Sequence, residues 1–201
     1  MSRTLSSLPR SGIAAALLAV ASLTLAGCTT NSPDARSTPA EQRSEINSGA
    51  DATLTRLYAA APQSKQLIRD AKGVLIFPSV LGASFVVGGE YGKGVLRVKG
   101  DPQAYYTVAG GSLGFQAGAQ SRATVLAFMT DEALERFRKS EGWTIGADAT
   151  VAVATIGANG SIDSNTIRQP VVGFVMNNAG LMAGVSIDGS KVTLDNRLAP
   201  N

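Results

Sequence analysis

The 201 residues contain no histidine and a single cysteine. Without histidine there is no Ser-His or Cys-His nucleophile pair, and no imidazole to bind zinc. Cys28 alone cannot close a disulfide within the chain or build a thiolate metal site. No Walker P-loop and no G-x-G-x-x-G stands anywhere in the sequence, so the common nucleotide cradles are absent. Aromatic residues make up 5%. No apolar run reaches the ~20 residues of a membrane-spanning helix. Charge of one sign is scarce too, with 18 basic residues against 15 acidic ones. Arg3 and Arg10 lie in a leader-like start, and without them the balance is 16 to 15. A nucleic-acid binder shows a clear basic surplus, so nucleic acid is not an expected partner. Neither a metal nor another cofactor is expected.

What the chain does have is glycine, 22 in all, and many of them fall between Gly73 and Arg122. Apolar runs of strand length alternate there with turn signals. Val74–Phe77 reads as a short buried strand stopped by Pro78, and Ser84–Val87 resumes it. Gly88 and Gly89 break or bulge it, and Gly92-Lys93-Gly94 turns the chain. Val95–Lys99 is a strand in which Val95, Arg97 and Lys99 alternate with Leu96 and Val98, giving one basic edge or face. Asp101-Pro102 makes the next turn and Gln103–Val108 returns. So many glycines inside strands suggest a strongly coiled sheet or small barrel.

Helices flank this stretch. Ile46, Ala50, Thr53, Leu54, Leu57 and Ala61 form one apolar stripe at helical spacing. Gln63–Ala71 makes a second, short helix on which Lys65, Arg69 and Lys72 fall at i, i+4 and i+7. A solvated helix face is the plainer reading of that trio, and a basic binding patch is the other. Downstream, Thr130 is a helix N-cap, with Asp131 and Glu132 in the first turn and Arg136, Arg138 and Lys139 in the last. Trp143 opens a further β region, Ala147–Ile156 alternates weakly, and Val171–Met176 and Leu181–Ile187 form a hairpin across Asn177–Gly180. Asp188-Gly189 turns the chain into Lys191–Leu194. The fold class is therefore α+β: N-terminal helices packed on a strongly coiled, mostly antiparallel Gly-rich sheet or partial barrel.

Chemistry-bearing motifs fail on inspection. Gly110-Gly111-Ser112-Leu113-Gly114 matches the nucleophile elbow G-x-S-x-G, but it lacks a base and sits in a strand pattern. Asn159, Ser161, Asp163 and Asn165 alternate like a calcium loop, yet Ser164 and Pro170 stand where an EF-hand needs Gly and Glu. No catalytic residue is assigned, and an enzyme is not expected.

The start of the chain has its own pattern. Arg3 and Arg10 precede an apolar core, Ile13 to Leu25, of signal-peptide length. Leu25-Ala26-Gly27-Cys28 matches the lipobox of bacterial lipoproteins. The segments AKGVLIFPSV, GGEYGKGVL, GGSLGFQAGAQS, GADATVAVATIG and GLMAGVSIDGS, in that order, resemble the SYLF domain family over roughly Ala50 to Ser190. The two resemblances together imply a signal peptide at 1–27, a flexible tether at 28–44 and a SYLF-like domain at 45–197. They imply acyl chains on Cys28 as the lipid anchor, with Thr29 directing an outer-membrane lipoprotein that faces the periplasm. Eukaryotic members of the family bind phosphoinositides and actin. The chain departs from the family at Met176-Asn177-Asn178-Ala179, where a Tyr/Ser/Arg-rich segment is expected. It also ends at Asn201, without the aromatic-Gly tail.

The expected function is binding of phospholipid, through anionic headgroups, at the membrane surface. Candidate lipid-binding residues are Lys65, Arg69 and Lys72 on the helix, Lys93, Arg97 and Lys99 on the strand, and Arg122. The alternative is an envelope structural or protein-interaction module with an actin-like or host partner.

Overall fold

The computed structural model describes residues 37–155, 162–182 and 185–199, with backbone alone at 83–87, 112–119 and 164. The leader, Cys28, the tether up to residue 36, Asn159, Ser161 and the Ser112 side chain all lie outside what is described. Among the described residues, no helix is long and apolar enough to cross a membrane.

Thr38 starts the first helix, α1 (Pro39–Ala60). Its hydroxyl accepts from the Glu41 N–H at 3.3 Å, and the Glu41 carboxylate takes the Thr38 N–H at 2.7 Å. This capping box, followed by proline where a helix has no N–H to lose, fixes the helix start. The helix thus begins ahead of residue 45, inside the stretch read as tether, because its first turns are polar and carry no apolar period. Ile46, Ala50, Thr53 and Leu57 are buried along the expected stripe. After Pro62 comes α2 (Ser64–Asp70), with Leu67 buried.

The two strands that follow are far longer than the sequence suggested. β1 (Gly73–Val98) and β2 (Asp101–Phe128) pair antiparallel from Gly73 opposite Phe128 to Val98 opposite Asp101. The turn between them is Lys99-Gly100, with φ of 55° and 92°, as a primed hairpin turn requires. The expected turns at Gly92–Gly94 and Asp101-Pro102 are therefore wrong: Gly92 pairs with Val108 and Gly94 with Tyr106, inside the ladder. Gly92 and Gly94 are there for another reason. A Cβ on Gly92 would sit 2.6 Å from the Ser79 carbonyl oxygen, and one on Gly94 2.5 Å from that of Ile76. Ser79 and Ile76 belong to the first part of the same strand, so the ribbon folds back across itself with its backbones nearly touching. Register slips at Phe77/Val80, Ser84/Val86 and Leu96/Arg97 add the local twist that such bending needs. Pro78 occupies the first slip, where a missing N–H is tolerated.

Then follow α3 (Asp131–Lys139), β3 (Trp143–Thr144), β4 (Ala152–Val153), α4 (Ser164–Ile167), β5 (Val171–Asn177), β6 (Gly180–Leu181), β7 (Lys191–Leu194) and a 3-10 turn, Asn196–Leu198. The early part of β2 carries β7, through Tyr106–Ala109, and its late part carries β5, through Ala123–Phe128. β3 flanks β7, while β4 runs parallel beside β5 and β6 antiparallel to it. The result is a strongly curled, mostly antiparallel half-barrel. Asp188-Gly189 does turn, with Gly189 at φ 84°, but β7 pairs with β2 and β3 rather than with the residues before the turn.

Both faces of the sheet are covered, which is why its strands read as unbroken apolar runs. Val74, Ile76, Val125, Ala127 and Phe174 pack with Leu57 and Leu67 of the first two helices. Leu75, Phe77, Leu126 and Phe128 pack with Leu134 and Phe137 of α3 and with Trp143. There Phe137 lies 4.9 Å from both Tyr106 and Phe128 and meets Trp143 edge-on at 5.3 Å, spacings at which aromatic pairs attract.

The crossing of the ribbon yields a stability prediction. Gly94→Ala forces a methyl against backbone and should cost about 1–3 kcal/mol, lowering the melting temperature by about 2–4 °C per kcal/mol. Gly111→Ala, with nothing within 4 Å of the added carbon, should leave it nearly unchanged. Equal melting temperatures for the two variants would refute the crossing.

Candidate functional site

α2, the end of α1 and the tip of the β1–β2 ribbon enclose a cleft of about 470 Å³. Leu54 and Tyr58 come from α1, Ile68 from α2, and Val74 and Ile76 from the start of β1. Four cations line the same cleft: Lys65 and Arg69 from α2, and Arg97 and Lys99 from the far end of β1. Positions i and i+4 share a helix face, which sets the first pair, whereas Lys99 stands in the hairpin turn just past the end of β1, at φ 55°. The fold-back then brings the two pairs together.

The four cations are not equivalent. The Arg97 side chain is only 12% exposed; it donates to the Asp51 carboxylate at 2.6 Å and to the Asn47 carbonyl at 3.1 Å. Its Nε–H finds no acceptor among the described residues. Arg97 therefore pins α1 to the ribbon and places its charge at the inner wall of the cleft. Burial pushes the Tyr58 phenol above its usual pKa, against the opposing pull of Arg97. Arg69 donates to Gln66, whose amide donates to Asp70 at 2.8 Å. Lys65 and Lys99 are exposed and have no counter-ion among the described residues.

The remaining candidates lie elsewhere. Lys72 falls past the end of α2, because Ala71 is already extended and the helical spacing no longer applies. Its ammonium is 3.6 Å from Asp131, in a neighbouring depression that also holds Asp70, Glu135 and Arg138. Lys93 donates to the Gln42 amide oxygen of α1 at 2.8 Å. Arg122 is paired with Glu90, whose carboxylate is only 9% exposed and also accepts from the Ser190 hydroxyl at 2.6 Å. That cluster ties β1, β2 and the turn before β7 together, and it borders a small cavity walled by Phe77, Val80, Val108 and Ile187. Arg122 is thus a clasp of the fold, set away from the cleft. On α3, Arg136 and Lys139 are matched with Glu132 at 2.6 Å and Glu135 at 3.1 Å.

Sequence reasoning found the cations, and of the cleft's apolar wall it named Leu54, as part of the α1 stripe, but not Tyr58 or Ile68. No sequence signal joins α2 to the ribbon tip. Among the described residues that line the cleft there is no carboxylate. Among the described residues, no three acidic, cysteine or histidine side chains are grouped to hold a metal.

A family model described as "Ysc84: Las17-binding protein actin regulator" matches residues 109–199, which leaves all four cleft cations outside the matched span. The chain is 33% identical over 131 residues to SH3 domain-containing YSC84-like protein 1 of Homo sapiens and 32% over 131 residues to that of Bos taurus. It is 27% identical over 133 residues to SH3 domain-containing protein PJ696.02 of Schizosaccharomyces pombe. Each alignment takes in 62% of this chain, but 37%, 38% and 30% of those relatives, so the chain spans under two-fifths of their length.

The clasp and the helix pairs should differ in energy. Arg122→Met leaves the nearly buried Glu90 carboxylate without its cation and should cost about 1–3 kcal/mol or more. Arg136→Met, which removes an exposed i,i+4 pair, should cost under ~0.5 kcal/mol. Urea denaturation of both variants measures the difference, and a similar loss in each would contradict the clasp.

Proposed function

We propose that this domain is a non-catalytic binding module that docks on anionic phospholipid at an outer-membrane surface, with a lipidated Cys28 as its anchor. The observation carrying the proposal is the gathering of Lys65, Arg69 and Lys99 on one side of the molecule, backed by Arg97. Each exposed cation near an anionic surface contributes about 1 kcal/mol, so three give a modest attraction. A domain already held by acyl chains needs no more than that to orient itself. The lipobox Leu25-Ala26-Gly27-Cys28 supports the anchor, and Thr29 after it supports outer-membrane sorting. The family description speaks of binding and regulation, which agrees with a cleft lined by no carboxylate among the described residues.

A second reading has its own support. The matching family is described as Las17-binding and as an actin regulator, so a protein partner on the sheet or its edge is the competing role. Among the described residues β1 pairs with β2 alone, so no other strand is seen on its second edge.

Vesicle flotation of the domain without its acyl anchor separates the two readings, since acyl chains would float it with vesicles of any charge. Wild type should float with anionic vesicles more than with neutral ones, and added salt should weaken this because exposed charges are screened over ~10 Å at 0.1 M. Replacing Lys65, Arg69 and Lys99 together by Gln should lose most of the anionic preference. The same change at Arg136, Arg138 and Lys139 should lose little, since two of those residues are matched on their own helix. Equal losses, or no preference in the wild type, would move the assignment to the protein partner. For the anchor, intact mass of the processed chain should give a start at an acylated Cys28, and Cys28→Ala should remain uncleaved. A processed start at any other residue would refute it.

A further inference from the structure

The cleft is more than a charged surface. Its volume, about 470 Å³, falls within the ~300–1,000 Å³ of pockets that enclose small ligands. Leu54, Tyr58, Ile68 and Ala71 line it half-buried, packed over the buried Val74 and Ile76. A site for a bare anion has no use for such a wall, since apolar surface contributes only when it meets apolar atoms. A site for an uncharged apolar ligand has no use for four cations around it. An anion with one hydrocarbon chain satisfies both halves.

We infer that the cleft binds a single-chain anionic amphiphile, such as a lysophospholipid or a fatty acid, one molecule per domain. The chain lies between α1 and α2 against Leu54, Ile68 and Ala71. The head group meets Lys65, Arg69 and Lys99, with the Arg97 charge behind it. The depression next to it, around Lys72 and Asp131, mixes both signs and offers no such match. The inference shares its cations with the membrane-docking proposal but differs in what it requires: an enclosed chain, not merely an anionic plane.

The test is calorimetric titration of the full chain with an anionic lysophospholipid held below its micelle concentration. One saturable site per chain is expected. Shortening the acyl chain by two methylenes should weaken binding about fifteenfold, equivalent to ~1.6 kcal/mol at ~0.8 kcal/mol per buried methylene. Glycerol phosphate, the head group alone, and a zwitterionic lysophospholipid of equal chain length should both bind far more weakly. Ile68→Trp, which fills the cleft, should abolish the titration while leaving flotation with anionic vesicles intact. If that variant melts early, the exposed Lys99→Glu serves instead and should weaken the anionic ligand only. Binding of glycerol phosphate as tight as that of the lysophospholipid, no dependence on chain length, or an unaltered titration in both variants would each overturn the enclosed-chain site. Flotation without any titration would remove this inference and leave membrane docking standing. Titration without flotation would do the reverse.

Discussion

The near-contact of Gly94 with the Ile76 carbonyl is the constraint on which the rest of the molecule depends. At that spot a single strand passes over its own beginning, closer than any side chain would allow. Because the ribbon doubles back, β2 can offer one length to β5 and another to β7, and a sheet with one long hairpin becomes a half-barrel. The two cores follow, one under α1 and α2 and one under α3. The Glu90–Arg122–Ser190 cluster then holds the doubled ribbon closed from the side. The cleft itself exists only because the ribbon tip is carried round to lie beside α2.

Much of this was legible in the sequence, and the failures have physical causes. Elements governed by local rules came through: the stripe of α1, the cap at Thr130, and the opposed charges at the two ends of α3. Strand length did not, because glycine carries the same signature whether it makes a turn or permits a close approach. Gly92 and Gly94 read as a turn and are instead the two residues over which the chain crosses itself. The Thr38–Glu41 capping box was written in the sequence, but the lack of any apolar period after it hid the helix start. Among the cations, helical spacing grouped Lys65 with Arg69 correctly, while Lys99 reaches the cleft from the hairpin turn and not from the strand alternation that paired it with Arg97. Spacing could not foresee that Lys72 would find Asp131, or Arg122 Glu90, since those counter-charges arrive through tertiary contact. Nor could it join the two pairs into one site.

A chain with almost balanced charge can still present a positive rim, and the pairings explain how. Asp51 is engaged by Arg97, Glu90 by Arg122, Asp131 by Lys72, and Glu132 and Glu135 by their own helix neighbours. The acids are thereby drawn to other parts of the surface or held inside ion pairs, and Lys65 and Lys99 are left facing solvent. Local potential, not the sum over the chain, decides what approaches a cleft. A positive rim of this kind arises in a protein whose overall composition barely favours one.

One minor contact has a wider meaning. The Arg43 guanidinium, near the beginning of α1, donates to the Ala199 carbonyl at 3.1 Å, so the first helix and the last turn of the fold meet. Chain ends that lie side by side are what let a unit be spliced into a longer polypeptide without distorting it. A flanking segment on one side and a flanking segment on the other would leave from the same corner, like two leads from one socket. That geometry fits the modest share of their relatives' length that the alignments occupy. It makes this fold a cassette, able to sit between different flanking segments while its interior stays the same.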